Sequence, residues 1–465
     1  VLHRRDLLMA SAMLPGMVGA RALSAGSDQA LTPEMFGAKG DGRTDDSAAF
    51  ARLSAKVTAD GGGTIVLRRT TYIVGTQRPG RDGRLSAAEL MVFKGCAKPL
   101  TIRGNGARLR CAAGQRYGVF QADGTPKQGQ NRRKDGGVVQ RPYRHMILVE
   151  QCTGAVEIDD IELDGNQDAH VVGGKYGDKG WQIATGGLAL RNNSGPETLT
   201  NVHSHHHAQD GFYIDGVDRA TPGVRRRLIG LRADANGRQG MSIVGGRGYE
   251  LSGCSFTRTA RGRVASAPAA GLDIEAQRGK KIRNLRLSDC RFADNRGCGM
   301  VADSGDSADV RFVKCSFIGT SNWSAWPRKP GFAFDSCLFV GTLVHAFGDP
   351  DPAKAARFVD CDFRDDPKLS PTGKLTMRKN LIADLSRAQN VLFDRCRFLL
   401  THDGVLPWSV GPIYRDCIMS QRSDKVAHTR GTFQGRNRIT GPVAIGRSII
   451  QGSLELNGTI LERNG

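Results

Sequence analysis

The second half of the chain alternates apolar and polar positions around a recurring phrase, apolar-x-x-Cys-x-apolar. Its clear copies are Leu251-Ser-Gly-Cys254-Ser-Phe256, Leu287-Ser-Asp-Cys290-Arg-Phe292, Phe312-Val-Lys-Cys315-Ser-Phe317 and Phe334-Asp-Ser-Cys337-Leu-Phe339. Phe358-Val-Asp-Cys361-Asp-Phe363 and Phe393-Asp-Arg-Cys396-Arg-Phe398 follow, then a degenerate Tyr414-Arg-Asp-Cys417-Ile-Met419. The cysteine-to-cysteine steps are 36, 25, 22, 24, 35 and 21 residues. A fixed phrase at such a period marks stacked structural repeats. Cys and Phe two residues apart are expected on one face of a strand. Steps of 21 to 25 residues suit one coil of a parallel β-helix, and longer steps suit a coil with an inserted loop. The expected fold is therefore an all-β solenoid.

A second ruler runs from the corner residue to the glycine that opens the next strand. It measures nine residues from Val202 to Gly211, from Leu231 to Gly240 and from Cys290 to Gly299, but seventeen from Cys254 to Gly271. The extra residues form an insertion within Thr257 to Ala270 that carries Arg258, Arg261 and Arg263. The strands after these turns predict an inward set, Phe212/Ile214, Met241/Ile243, Leu272/Ile274 and Met300/Ala302. Two outward rows follow by alternation. One is Tyr213, Ser242 and Asp273; the other is Asp215, Val244, Glu275 and Asp303. Residues 76 to 150 read as mostly irregular, apart from strand and turn at Leu100 to Leu109. The tail continues strand patterns such as Ile449 to Leu456.

The region after residue 30 reads Phe36-Gly-Ala-Lys-Gly-Asp-Gly-Arg-Thr44-Asp-Asp-Ser47. Gly-Asp-Gly is a turn, Thr44 suits a helix N-cap, and Asp45 and Asp46 favour a helix's positive end. Ala48 to Ala59 has helical periodicity, with Phe50, Leu53 and Val57 on one side. Gly61-Gly-Gly63 stops it and Thr64-Ile-Val-Leu67 begins a strand. This opening resembles the N-terminus of the pectate-lyase-like superfamily, the rhamnogalacturonase- and epimerase-type right-handed parallel β-helices. The resemblance implies one β-helix domain over 26–465, with a short capping helix inside an N-terminal cap of about 31–75. Phage tailspikes share it. No catalytic residue carries over by motif: the chain has no Gly-His-Gly of polygalacturonases and no Asp-Pro-His-Glu of mannuronan epimerases. Residues 1 to about 25, with Arg4-Arg5 before an apolar run and Ala20-Arg-Ala22 after it, resemble a twin-arginine export signal. The expected location is periplasmic or secreted, with no membrane span.

Charge adds a partner class. Lysine and arginine outnumber aspartate and glutamate to give +20 in 465 residues. A basic surface favours an anionic partner. No nucleic-acid-binding motif appears, so an acidic polysaccharide or oligosaccharide is expected. The seven cysteines of the phrase, among eleven in all, read as small buried hydrophobes, although neighbouring coils lie near disulfide reach.

The chemistry is expected on the outward face of residues 203 to 278. Asp273 and Glu275, two apart on one strand face, sit about 6.5–7 Å apart, near the spacing of an inverting glycosidase pair. The run His203-Ser-His205-His206-His207, with Asp210 and Tyr213 after it, offers a His or Tyr base. Such a base suits β-elimination on a uronate, in which Arg238, Arg258, Arg261, Arg263 or Arg278, or a divalent cation such as Ca2+, neutralises the carboxylate. The histidines also present a metal-binding alternative. The expected activity is a polysaccharide lyase on an acidic chain. A hydrolase using Asp273 and Glu275, and a non-catalytic glycan-binding β-helix, stand as alternatives. Trp323 and Trp326 are further candidates for stacking on sugar rings.

Overall fold

The computed structural model describes residues 29–79, 85–87, 90–128, 137–174, 183–386 and 388–461. The export-signal reading lies outside the described residues. The described chain winds as a right-handed parallel β-helix. Each coil supplies three short strands. Glu197–Thr200, His203–His205 and Asp210–Asp215 make one coil. They pair in parallel with Arg226–Ile229, Arg232–Asp234 and Gln239–Arg247 of the next. The first and second strands build two walls of one continuous sheet, and the third strands build a separate wall.

The cysteine phrase spans a corner, which corrects the expectation that Cys and Phe share one strand. Leu251 lies one residue before the end of the first strand Tyr249–Ser252, Gly253 bends, Cys254 follows the bend, and Phe256 lies in the second strand Ser255–Thr257. The bend residue is left-handed in every coil from Asn201 to Asp416, with φ between 50° and 61° at Asn201, Gly230, Gly253, Asp289, Lys314, Ser336, Asp360, Arg395 and Asp416. Asn, Asp and Gly tolerate this region best, and the sequence mostly uses them. After the bend the cysteine points inward and its thiol donates to a carbonyl of the preceding coil. The acceptors are Leu228 for Cys254, Phe312 for Cys337 and Phe358 for Cys396, at 3.4, 3.6 and 3.4 Å. All eleven cysteines are buried free thiols. A small side chain with a weak donor fits a tight corner whose neighbour has a lone pair to spare.

The phenylalanines of the phrase stack into two ladders. Phe256, Phe292, Phe317, Phe339, Phe363 and Phe398 form one, with centroids 4.6–5.3 Å apart. Phe312, Phe334, Phe358 and Phe393 form the other at 4.9 Å, the spacing of the coils themselves. The ladders meet edge to face, as at Phe317 and Phe334, which suits the ring quadrupoles.

Helix Ser47–Ala59 buries Phe50, Leu53 and Val57 against the first coils. Ser54 Oγ and Thr58 Oγ1 donate to the carbonyls of Leu90 and Val92. Asp46, not Thr44, stands at the helix start. Its carboxylate accepts the Lys39 and Gly40 N–H groups at 2.7 and 3.0 Å, fastening the Gly-Asp-Gly loop, while the Thr44 hydroxyl donates to Asp41 Oδ2. The solenoid starts earlier than expected: Gly63–Val66, Leu100–Cys111 and Val156–Asp164 already pair in parallel. Loops long enough to hide the repeat separate these strands. At the far end Ile449–Leu456 closes in an antiparallel hairpin with Thr459–Leu461. No helix among the described residues is long and apolar enough to cross a membrane.

Candidate functional site

The third wall carries the larger group of charged side chains. Its inward residues behave as expected: Phe212, Ile214, Met241, Ile243, Leu272, Ile274, Met300 and Ala302 are fully buried. Its outward rows are not simply exposed. Tyr213 pairs in register with Ser242, and Ser242 with Asp273. Only Tyr213 of these three is half-exposed, because the turn residues Arg238 and Gln239 fold over the other two. In the second row a bulge sets Asp215 opposite Gly245 rather than Val244. Asp215 is buried in an ion cluster with Arg191 and Lys280.

These residues make one network. Arg238 Nη1 and Ser242 Oγ donate to Asp210 Oδ2 at 3.2 and 2.9 Å. Gln239 Nε2 donates to Asp273 Oδ2 at 2.7 Å, and Gln239 Oε1 accepts the Ala270 N–H. Glu275 accepts from Ser304 Oγ and Gln277 Nε2. Burial pushes the Asp273 carboxyl up to about 7; Arg238 opposes, while Glu275, Asp210 and Asp303 reinforce it. Burial also raises Asp210, against Arg238 and Ser242. Burial raises the Tyr213 phenol further above its ordinary value, with Asp215 adding and Arg191 and Arg278 opposing.

His145, which the sequence did not single out, joins this face. It opens strand His145–Glu150 and pairs in register with Gly186, the first residue of Gly186–Arg191. Ala189 of that strand lies opposite Tyr213. The small residues between leave a gap that the His145 ring crosses, ending 6.1 Å from the Tyr213 ring. A Cβ at Gly186 would meet the Asp210 carbonyl at 2.8 Å and His145 Nδ1 at 3.1 Å. Burial pushes the imidazole down to about 3, helped by Arg191, Arg144 and Arg141, so it is neutral. His145 Nδ1, Asp210 Oδ1 and Arg238 Nε are buried without hydrogen-bond partners among the described residues. Unpaired buried polar atoms converging on one face are what a ligand would satisfy.

The structure separates His205 from this group. His205 ends the second strand of its coil. Its Nε2 lies 2.9 Å from Glu162 Oε1, its Nδ1 2.6 Å from His206 Nδ1 and 3.7 Å from Asp164 Oδ1. It thus belongs to the outer face of the second wall, where Glu162 and Asp164 sit opposite His203 and His205 in register. His207 points inward, between Tyr143 and the Leu163 carbonyl. The insertion's arginines also go elsewhere than expected. Arg258 pairs with Asp234, Arg261 with Asp294 and Ser321, and Arg263 with the Asp168 backbone and carboxylate. All three are consumed at the corner between the second and third walls. Of the five nominated arginines, Arg238 and the exposed Arg278 act electrostatically on Tyr213 or its neighbours. Trp323 and Trp326 pack edge to face at 4.9 Å, with Arg378 over Trp323. His145 was missed because the ruler was started at Val202; carried back across the loops, its register leads to Gly186 and then His145.

No protein-family model matches the chain, and no curated protein matches it. Solved structures do resemble it. The N-terminal fragment of bacteriophage phi29 gene product 12 is 13% identical over 94% of this chain and 73% of that one, with TM-score 0.50. The A-module of the Azotobacter vinelandii mannuronan C-5 epimerase AlgE4 is 14% identical over 92% and 98%, at TM-score 0.42. The Streptococcus pneumoniae surface adhesin PfbA is 12% identical over 92% and 90%, at 0.38. A likeness at 13% identity speaks for the fold and not for a reaction.

Proposed function

We propose that the protein is an exported lyase, periplasmic or secreted, that cleaves an acidic, uronate-containing polysaccharide by β-elimination. The observation that carries this reading is neutral His145 beside the protonated phenol of Tyr213, ringed by Arg191, Arg238 and Arg278. In the proposed step the arginines hold the uronate carboxylate and stabilise the charge that builds there. His145 takes the C5 proton, the C5–H electron pair forms the C4–C5 double bond, and the C4–O bond breaks. Tyr213 gives its proton to the leaving oxygen, and a proton passing from His145 back to Tyr213 resets the pair. Burial is the main cause of the depressed His145 imidazole, and the substrate's own carboxylate offsets the smaller share that arginines add, raising its basicity in the complex.

The experiment is digestion of a panel of anionic polysaccharides, following both ultraviolet absorbance of unsaturated ends and new reducing ends. Wild type is expected to raise both together. Tyr213→Phe and His145→Ala should each lower the rate by about 10²-fold or more with the fold intact by circular dichroism. Full activity in both variants would dismiss the assignment. The hydrolase reading has one observation in its favour, Asp273 held up to about 7 as a general acid would be. Against it, Asp273 is only 4% exposed and Gln239 occupies one of its oxygens. Reducing ends without ultraviolet absorbance would favour that reading.

A further inference from the structure

The histidines left over from the proposed reaction lie on the second wall among carboxylates. Two outward rows cross this wall coil by coil. One runs Arg108, Glu162, His203, Arg232; the other runs Arg110, Asp164, His205, Asp234. His206 follows at the corner with φ 52°, the left-handed position that Ala235 and Asp294 take in other coils. Two overlapping groups of potential ligand atoms result, Glu162/His203/His205 and Asp164/His205/His206, each with its atoms within 4.8 Å of one another.

Hydrogen bonding separates the two. Arg108 Nε lies 2.8 Å from Glu162 Oε1, so Glu162 is an ionised acceptor. His205 Nε2, 2.9 Å from the same oxygen, must be the nitrogen that carries the proton. The ring then turns its Nδ1 to the other side, towards His206 and Asp164. A carboxylate that receives one imidazole N–H while the opposite nitrogen faces other ligand atoms is the outer-shell arrangement that orients histidine metal ligands. Asp164 is oriented as well: Asn166 N–H donates to its Oδ1 at 2.9 Å and Arg110 approaches its Oδ2 at 3.5 Å. Ligand atoms about 2.0–2.1 Å from a tetrahedral ion sit about 3.3 Å apart. The His205 Nδ1 distances to His206 Nδ1 and Asp164 Oδ1, 2.6 and 3.7 Å, bracket that value. The half-exposed His206 ring would have to move away from His205 by a few tenths of an ångström to reach that spacing.

We infer that Asp164, His205 and His206 form a site for one divalent first-row transition-metal ion, with Glu162 positioning His205 from behind. Two imidazole nitrogens and one carboxylate oxygen suit Zn2+ or its neighbours, whereas Ca2+ takes six to eight oxygens. The ion would clip one coil, through Asp164, to the next, through His205 and His206. It would do so at the turn that delivers Asp210 to the third wall. This site does not rest on the lyase reading.

The test uses the full chain, stripped with a chelator and reloaded with Zn2+ or Co2+. Wild type should retain one equivalent after gel filtration, with Co2+ giving visible ligand-field bands and Zn2+ raising the unfolding temperature. His206→Asn keeps a side chain that tolerates a left-handed backbone and removes the imidazole. It and Asp164→Asn should lose the bands and the thermal shift, with the metal-free fold unchanged by circular dichroism. His203→Ala should keep both signals. Absence of retained metal in wild type overturns the proposal, and so does retention in both His206→Asn and Asp164→Asn. Loss in His203→Ala with retention in His206→Asn would move the ion to the far side of His205 and overturn the ligand assignment.

Discussion

At the scale of single residues, Asp273 shows what burial does to a side chain whose position is otherwise correctly read. Alternation places it on the outward face, and register places it beside Ser242. Water is nevertheless kept from it, and its carboxyl rises to about 7. An unfolded aspartate titrates near 3.9, so between about pH 4 and 7 the native state binds a proton that the unfolded state has released. Stability from this group is therefore full at acid pH and lost as pH rises through the native value. Asp273→Asn keeps the acceptor for Gln239 and cannot ionise. Its unfolding temperature should match or fall slightly below wild type near pH 4.5 and exceed it at pH 8. The gap should grow across that window by an amount of order 1 kcal/mol per pH unit. Parallel pH profiles for the two proteins would contradict the assignment.

At the scale of elements, the repeat phrase encodes a corner rather than a strand. Leu or Phe ends one wall, a left-handed residue turns the chain, Cys fills the corner, and Phe enters the next wall's ladder. The two inward residues contribute unequally. Phe334 contacts rings above, below and beside it, so Phe334→Ala should cost about 3–5 kcal/mol. Cys337→Ala removes one sulfur and a weak 3.6 Å donor contact, and should cost about 1 kcal/mol. Urea unfolding of the two variants measures the difference, and an equal loss would mean that the thiol ladder matters more than its packing implies. The solenoid, its inward residues and the turn insertion were legible because apolar period and corner spacing are local properties of the chain. Which outward residues meet was legible only in part. Tyr213 and Asp273 were found from register, Asp210 and Arg238 from their charge in the turns before those strands, and the structure brings the four together. His145 lies two coils away in sequence across long loops, and only the absent side chain at Gly186 lets it reach Tyr213. His205 was sent to the wrong face because a four-residue turn, 206 to 209, separates walls that the sequence writes one after the other. The insertion's arginines were assigned by number, but Arg258 and Arg261 pair with Asp234 and Asp294 and the Arg263 guanidinium donates to the Asp168 carbonyl, and contacts of that kind depend on coils 24 to 95 residues apart.

At the scale of the molecule, the formal charge of +20 is not spread evenly in its effect. Along the later coils, arginines pair with carboxylates one coil away, as Arg311 with Asp335, Arg395 with Asp360 and Arg397 with Asp362. Exposed pairs of this kind add little to stability and cancel as a field. On the third wall too, Arg191 and Arg238 meet carboxylates, Asp215 and Asp210, while Arg278 is exposed and acts electrostatically on the Tyr213 phenol. On the lyase reading proposed above, that exposed charge would draw a polyanion from beyond contact distance. Raising ionic strength from 0.01 to 0.15 M shortens the screening length from about 30 Å to about 8 Å. It should raise KM for a polyuronate several-fold while leaving kcat nearly unchanged, because close contacts in the bound complex are screened far less than the approach. Arg278→Gln should weaken that salt dependence without abolishing turnover, since Arg278 is exposed and acts on Tyr213 only through its charge. A KM indifferent to salt, or a loss of kcat that follows ionic strength, would show that the basic face does not recruit the substrate.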